Sequence, residues 1–384
     1  MRHTPGRTAA FFFLVASIPA ASAGAQGTLS TQGFGYPTGQ LSARALATGG
    51  GISEFDPDSP LNPAAIALTS DPRMFLQYEP EFRKLTNGSA SSNSTTARFP
   101  VASASMPFGS KGSIGLSVAT LLDRSSSTTS TREQEVGGVV ATITETTRTL
   151  GAINDIRLAG GWAPSPKVQF GVGGHVYTGQ NRVFFSQSFP DTLKFSGVSQ
   201  VSTLGFTGFA ASAGVLVRPS RNIGFALSGR KGARIEARAG DSTVSKANIP
   251  DRYAAGVSYE GIPGSSISAH LAREQWSSLN GLGSSAANAV DTWEGGFGVE
   301  SLGPRVADRQ TVLRLGARYR TLPFTAAGNE VKELSFAGGI GAQFFRNRAT
   351  FDMTVERAGR SVSAGSLDAR ERAFILSFGL RVRP

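Results

Sequence analysis

The sequence predicts an all-β protein, a transmembrane antiparallel β-barrel of about fourteen strands whose N-terminal segment folds into the lumen. Three observations carry this. Apolar and polar residues alternate with period two along many segments, and connections alternate between short and long. Past the N-terminus, no apolar run reaches the roughly eighteen residues that a membrane helix requires, so any membrane crossing is made by strands.

Residues 1–25 read as a signal peptide. Arg2 and Arg7 give a positive start, residues 9–16, with Phe11, Phe12 and Phe13, an apolar core, and small residues follow Pro19. Two overlapping sites, Ala21-Ser22-Ala23 and Ala23-Gly24-Ala25, put cleavage before Gly24 or before Gln26, and both stay open. An exported chain without cysteine has no disulfide framework and no cysteine metal or redox site. The 38 basic and 27 acidic residues give +11, or +9 once Arg2 and Arg7 are removed. These cations are scattered rather than gathered in a patch, which argues against nucleic acid as a partner.

Residues 26–72 lack alternation and are punctuated by Gly49-Gly50-Gly51, Asp56-Pro57, Ser59-Pro60 and Asn62-Pro63. A short apolar helix is expected over 63–68, with proline at its start. Asn62, held extended before Pro63, has its amide free to bond backbone groups at the helix mouth; a plain helix cap is an equal reading. So many apolar residues are unlike a loose tail, and the segment is expected to plug the lumen.

The remainder, 73–384, is read as the barrel. Strands are expected near 73–82, 97–108, 112–123, 151–163, 167–178, 205–218, 222–230, 251–261, 265–276, 290–301, 311–322, 332–345, 348–357 and 371–383. The C-terminal ones are clearest. Leu313, Leu315, Ala317 and Tyr319 alternate with Arg314, Gly316, Arg318 and Arg320; Phe374, Leu376, Phe378, Leu380 and Val382 alternate with Ser377, Gly379, Arg381 and Arg383. One face suits lipid, making outer-membrane lipid a partner, and the other is small or charged, unlike the dense core of a soluble sandwich. Trp162 and Trp293 share the outward parity at strand ends, where an aromatic girdle lies. Short links (109–111, 164–166, 219–221, 262–264, 302–310, 346–347) separate long ones (83–96, 124–150, 179–204, 231–250, 277–289, 323–331, 358–370), so both termini fall on the short-turn, periplasmic side.

Inward parity singles out Arg314, Arg318 and Arg320 as cations for a substrate carboxylate. Glu260, Glu274, Glu294, Glu300, Asp352 and Glu356 share that face, so cross-strand ion pairs bracing the barrel are the favoured alternative. His175 and His270 also face inward, without metal spacing. A serine hydrolase built on His270 has no orienting third residue in view, so no catalytic residue, metal, cofactor or enzyme activity is expected.

Ala43-Arg44-Ala45-Leu46-Ala47-Thr48-Gly49-Gly50, Asp56 and Asn62-Pro63-Ala64-Ala65 together resemble the N-terminal hatch of FadL-like fatty-acid transporter barrels and the related barrels of type IX secretion. Ala65 stands where those families carry glycine. Pro250-Asp251-Arg252-Tyr253-Ala254-Ala255-Gly256-Val257 extends the likeness more loosely. The resemblance implies that 26–72 is a hatch centred on Gly49, Gly50, Asn62, Pro63 and Ala64. It further implies an outer-membrane channel passing hydrophobic small molecules such as long-chain fatty acids, or else a shuttle or scaffold barrel with secretion-machinery partners, or a purely structural barrel.

Overall fold

The computed structural model describes Leu29 and residues 34–384 apart from 137–138, 191–194, 283–288, 307–308, 327, 346–347 and 365–366. The expected signal peptide and its cleavage sites lie outside the described residues. Fourteen antiparallel strands close into one barrel. In chain order they are β1 (Arg73–Asn87), β2 (Ala90–Arg98 and Val101–Phe108), β3 (Gly112–Asp123 and Ser126–Val136), β4 (Val139–Ser165), β5 (Val168–Ser188), β6 (Val198–Val217) and β7 (Ile223–Ala239). There follow β8 (Ser242–Asn248 and Arg252–Ile262), β9 (Ser265–Glu274), β10 (Thr292–Val306), β11 (Arg309–Thr321), β12 (Lys332–Phe344), β13 (Ala349–Ala364) and β14 (Leu367–Val382). Closure comes from β14 against β1, with Phe378 opposite Tyr78 and Leu380 opposite Leu76. No strand edge is left along that seam.

Alternation sets the faces as the sequence requires. Leu315 is 70% exposed while its neighbour Arg314 is 6% exposed, and the same contrast separates Phe336 from Ser335 and Phe374 from Ile375. Large apolar side chains therefore point away from the barrel all round its wall, the reverse of a water-soluble sheet and the arrangement a bilayer stabilises. Trp162 and Trp293 both face outward, one near the short-turn end of β4 and the other at the opposite end of β10.

Five expected long connections are instead largely strand. The described residues of 83–96, 124–150, 179–204, 231–250 and 358–370 mostly continue the ladders as long hairpins: Phe82 opposes Thr95, Thr128 opposes Thr147, Gln187 opposes Val198 and Arg360 opposes Glu371. β4 is consequently 27 residues long, far beyond the 9–11 residues a tilted strand needs to cross a bilayer. Beyond the lipid the outward face meets water and turns polar, so period two fades from the sequence although the backbone bonds continue and inner residues such as Leu85, Ile143 and Val362 stay buried. The link at 302–310 shortens for the same reason.

Two breaks shape the wall. β2 is interrupted at Phe99-Pro100, where proline cannot donate to the ladder. Among the described residues, pairing of β2 with β3 ends at Val101 opposite Ala119. Above that point Tyr36 and Pro37, a two-residue strand of the N-terminal segment, pair with Asp123 and Leu122 of β3 instead.

The N-terminal segment lies inside the ring. Residues 34–68 are almost wholly buried and touch strands on every side: Gln40 reaches β4, Glu54 reaches β7 and β8, Arg44 reaches β10, Tyr36 reaches β11, and Asp58 reaches β14. Only an enclosed segment can do so. A five-residue helix (Ala43–Ala47) starts at Ser42, whose Oγ accepts from Ala45 N at 3.1 Å. The expected helix over 63–68 is a 3₁₀ helix (Pro63–Leu68). Asn62 performs both roles considered for it, since its Oδ1 accepts from Ala64 N at 2.9 Å while its Nδ2 donates to Glu54 O at 3.0 Å.

Candidate functional site

The site is the lumen, and its lower half is filled by the segment just described. Gly49 and Gly50 turn the chain after the helix with φ of +58° and +80°, conformations that a side chain resists. A Cβ on Gly50 would lie 2.7 Å from His270 Cε1. The wall yields space in return: at Gly316 any side chain would collide with the backbone of Thr48 and Gly49. Glycine on the inner face thus serves close approach of backbone rather than a water-filled bore.

Ion pairs tie segment to wall. Arg44 binds Glu300 through Nε and Nη2 at 2.9 and 2.8 Å, Arg252 Nη2 binds Glu54 Oε1 at 2.7 Å, and Arg381 binds Asp58. Burial pushes the Glu54 carboxyl up, but Arg252 and the hydroxyl of Ser228 pull it down further, and it settles below the usual carboxylate range.

The three singled-out arginines are all paired with carboxylates. Arg314 donates to Glu300 Oε2 and to Asp352 Oδ1, each at 2.6 Å; Arg318 donates to Glu356 Oε1 at 2.9 Å; Arg320 donates to Glu333 Oε1 at 2.6 Å. Arg320 and Arg360 also donate to the Tyr36 hydroxyl at 2.5 and 2.8 Å, while that hydroxyl donates to Glu333 Oε2 at 3.1 Å. Burial outweighs these cations and pushes the Tyr36 phenol up to about 12, so it remains a neutral donor. Arg360 lies 4.6 Å from its ring centroid, and Arg83, Arg98 and Arg320 stand within 5.5 Å. Nothing in the unpatterned stretch around Tyr36 marks it as this hub.

Toward the long hairpins lies an apolar chamber filled by its own packed side chains. Phe34, Leu121, Leu122, Tyr177, Phe206 and Trp276 contribute to it, with Phe324 packed 5.8 Å from Phe34 and 6.3 Å from Trp276. Arg124 enters at its edge. Its guanidinium carbon stands 3.8 Å from the Phe34 ring centroid and 5.1 Å from that of Phe206, and its buried Nε and Nη1 have no hydrogen-bond partner among the described residues. Beside Trp276 and Leu121 is a small cavity of about 40 Å³ that also borders Gln40, Glu274 and Arg320, room for water rather than for a solute until the surrounding side chains move. Sequence reading missed Arg124 because its distinction is the lack of an acid partner, which only the assembled wall reveals.

The two histidines part company. His270 Nε2 is 3.1 Å from Glu294 Oε1. His175 sits between an acid and a hydroxyl, its Nδ1 2.8 Å from Asp155 Oδ1 and its Nε2 2.8 Å from Ser212 Oγ.

No family model matches the chain, and no curated protein does. Solved structures match along nearly its whole length. A FadL homologue of Pseudomonas aeruginosa superposes with a TM-score of 0.61 at 14% identity, over 91% of this chain and 99% of that one. The Pseudomonas putida toluene transporter TodX gives 0.60 at 12% identity over 91% and 99%. The monoaromatic hydrocarbon channel CymD gives 0.57 at 12% over 90% and 97%. At such identities the likeness is one of fold: the chain folds as a FadL-like barrel.

Proposed function

We propose that this barrel is an outer-membrane channel for hydrophobic small molecules, that it accepts amphipathic carboxylates such as long-chain fatty acids, and that residues 26–72 are its hatch. The observation that carries the reading is the aromatic chamber with Arg124 at its edge. Parting of its packed side chains admits a hydrocarbon chain, and the unpaired guanidinium N–H groups offer a carboxylate a charge-assisted hydrogen bond. Arg314, Arg318 and Arg320, already paired, brace the lower lumen. Ligands of the solved barrels with this fold, toluene and monoaromatic hydrocarbons by their names, support the apolar part of the reading.

The hatch closes the lumen below the chamber, so a solute leaves sideways. The parting of β2 from β3 lies beside Leu121 and Leu122 of the chamber wall and offers that route.

Replacing Arg124 with Gln tests the assignment. Uptake of a labelled long-chain acid should fall about tenfold to a hundredfold, the worth of a charge-assisted hydrogen bond in a dry site, while toluene uptake is unchanged. Equal loss of both solutes would show that Arg124 merely supports the chamber.

A further inference from the structure

We propose that Ser212, His175 and Asp155 form a hydrolytic centre in the lumen that cleaves hydrophobic carboxylic esters. The three residues come from adjacent strands β6, β5 and β4, and all face inward. Ser212 Oγ stands 2.8 Å from His175 Nε2, and His175 Nδ1 stands 2.8 Å from Asp155 Oδ1. That is the order nucleophile, base, orienting acid. With Asp155 accepting the Nδ1 proton, Nε2 is left as the acceptor for the serine hydroxyl. Asp155 is itself fixed, since its Oδ2 accepts from Tyr177 Oη at 3.0 Å and from Gln40 Nε2 at 3.2 Å.

A cation without a partner completes the arrangement. Arg157 lies directly opposite His175 in the β4–β5 ladder, and its buried Nε and Nη1 have no hydrogen-bond partner among the described residues. Gly173, opposite Ser212, keeps the face of the hydroxyl clear: a Cβ there would lie 2.7 Å from Ser212 Oγ and 3.4 Å from Arg157 Cδ. Gly173 thus brings the Arg157 side chain, with its unpartnered N–H groups, into the layer of Ser212 and His175. Such donors are what an ester oxygen requires as it becomes an oxyanion.

The position suits an apolar substrate. Along β5, Gly171 abuts Pro63 and Ala64 of the N-terminal segment, Gly173 and His175 form the polar layer, and Tyr177 belongs to the chamber. The Tyr177 ring is stacked on His175 at 6.2 Å. An ester with its hydrocarbon part in the chamber presents its carbonyl to the layer below.

Ser212 Oγ adds to the carbonyl carbon as its proton passes to His175 Nε2. The bond to the alcohol oxygen then breaks, and the imidazolium returns that proton to the departing alcohol. Water, deprotonated by the same nitrogen, attacks the acyl-serine, releasing the carboxylate and restoring the hydroxyl. Arg157 holds the oxyanion in both halves, and Asp155 is a positioning residue.

The test uses the purified full chain in detergent, with p-nitrophenyl butyrate as substrate and an alkyl fluorophosphonate as probe. Wild-type protein should release p-nitrophenol and take up the phosphonate on Ser212. S212A and H175Q, shown to be folded by heat-dependent migration on a denaturing gel, should lose turnover by about 10²- to 10⁴-fold, and D155N should lower kcat at unchanged KM. Turnover in folded S212A equal to wild type would overturn the proposal. So would a wild-type barrel left unlabelled by the phosphonate, which decides the matter even if the variants do not fold. Neither result depends on transport, so the channel reading stands or falls separately.

Discussion

Deleting residues 26–72 should convert a filled barrel into an open pore, with single-channel conductance in planar bilayers rising from near background to that of a wide aqueous channel. The segment occupies the lumen from Tyr36 to Leu68 and meets strands on all sides. Its removal strips Glu300 of Arg44, Arg252 of Glu54 and Arg381 of Asp58. In a dry core an orphaned charge costs about 3–5 kcal/mol. Here the vacated lumen fills with water, which solvates those groups again, so the wall should still close. Folding is read independently from heat-dependent gel migration, and a folded variant with unchanged conductance would contradict the hatch reading.

A single methyl group should loosen the same seal. Gly316 is flanked in register by Gly298 of β10 and Ala337 of β12, so the wall is hydrogen-bonded on both sides and has little freedom to retreat. Gly316→Ala places a Cβ in the backbone of Thr48 and Gly49. Overpacking of this kind costs about 1–3 kcal/mol, and relief comes from displacing the segment. Raised conductance and faster proteolysis within the segment are expected. Gly338→Ala, on the lipid side of β12, is the control, because its Cβ would make only ordinary contacts, with Leu315 Cδ2 at 3.4 Å and Arg314 O at 3.9 Å. Identical behaviour of the two variants would show that the seal does not rest on this contact.

Much of the wall was legible because lipid and lumen impose opposite demands on successive residues. Leu313 to Arg320 can be assigned outward or inward one by one, and the assignment holds. The signal ends where that contrast ends. Residues 126–136 and 139–149 form a hairpin in which threonines oppose threonines, so no apolar period marks the strands although Ala141 and Ile143 are buried. Asn62-Pro63 was readable as a helix start, since proline and the asparagine amide act on their immediate neighbours.

Partnerships between distant residues were not legible. Arg314, Arg318 and Arg320 were assigned inward correctly, yet whether each is paired depends on the register of β10, β12 and β13 and on Tyr36, nearly three hundred residues away for Arg320. Arg124 and Arg157 are distinguished only by what they lack. A hydrolase reading was considered for His270, which has Glu294 beside it, whereas the serine and acid in line flank His175. Inward parity was common to both histidines, and the cross-strand neighbours that separate them belong to the fold.

The claim that matters most is passage of hydrophobic solutes, and whole-cell uptake in a strain lacking this chain measures it most directly. With a labelled long-chain fatty acid and with toluene, uptake should fall in the deletion strain and return when the full chain is supplied. Unchanged uptake of both solutes, accompanied by a defect in protein secretion, would contradict the channel and point to a barrel that serves a secretion machine.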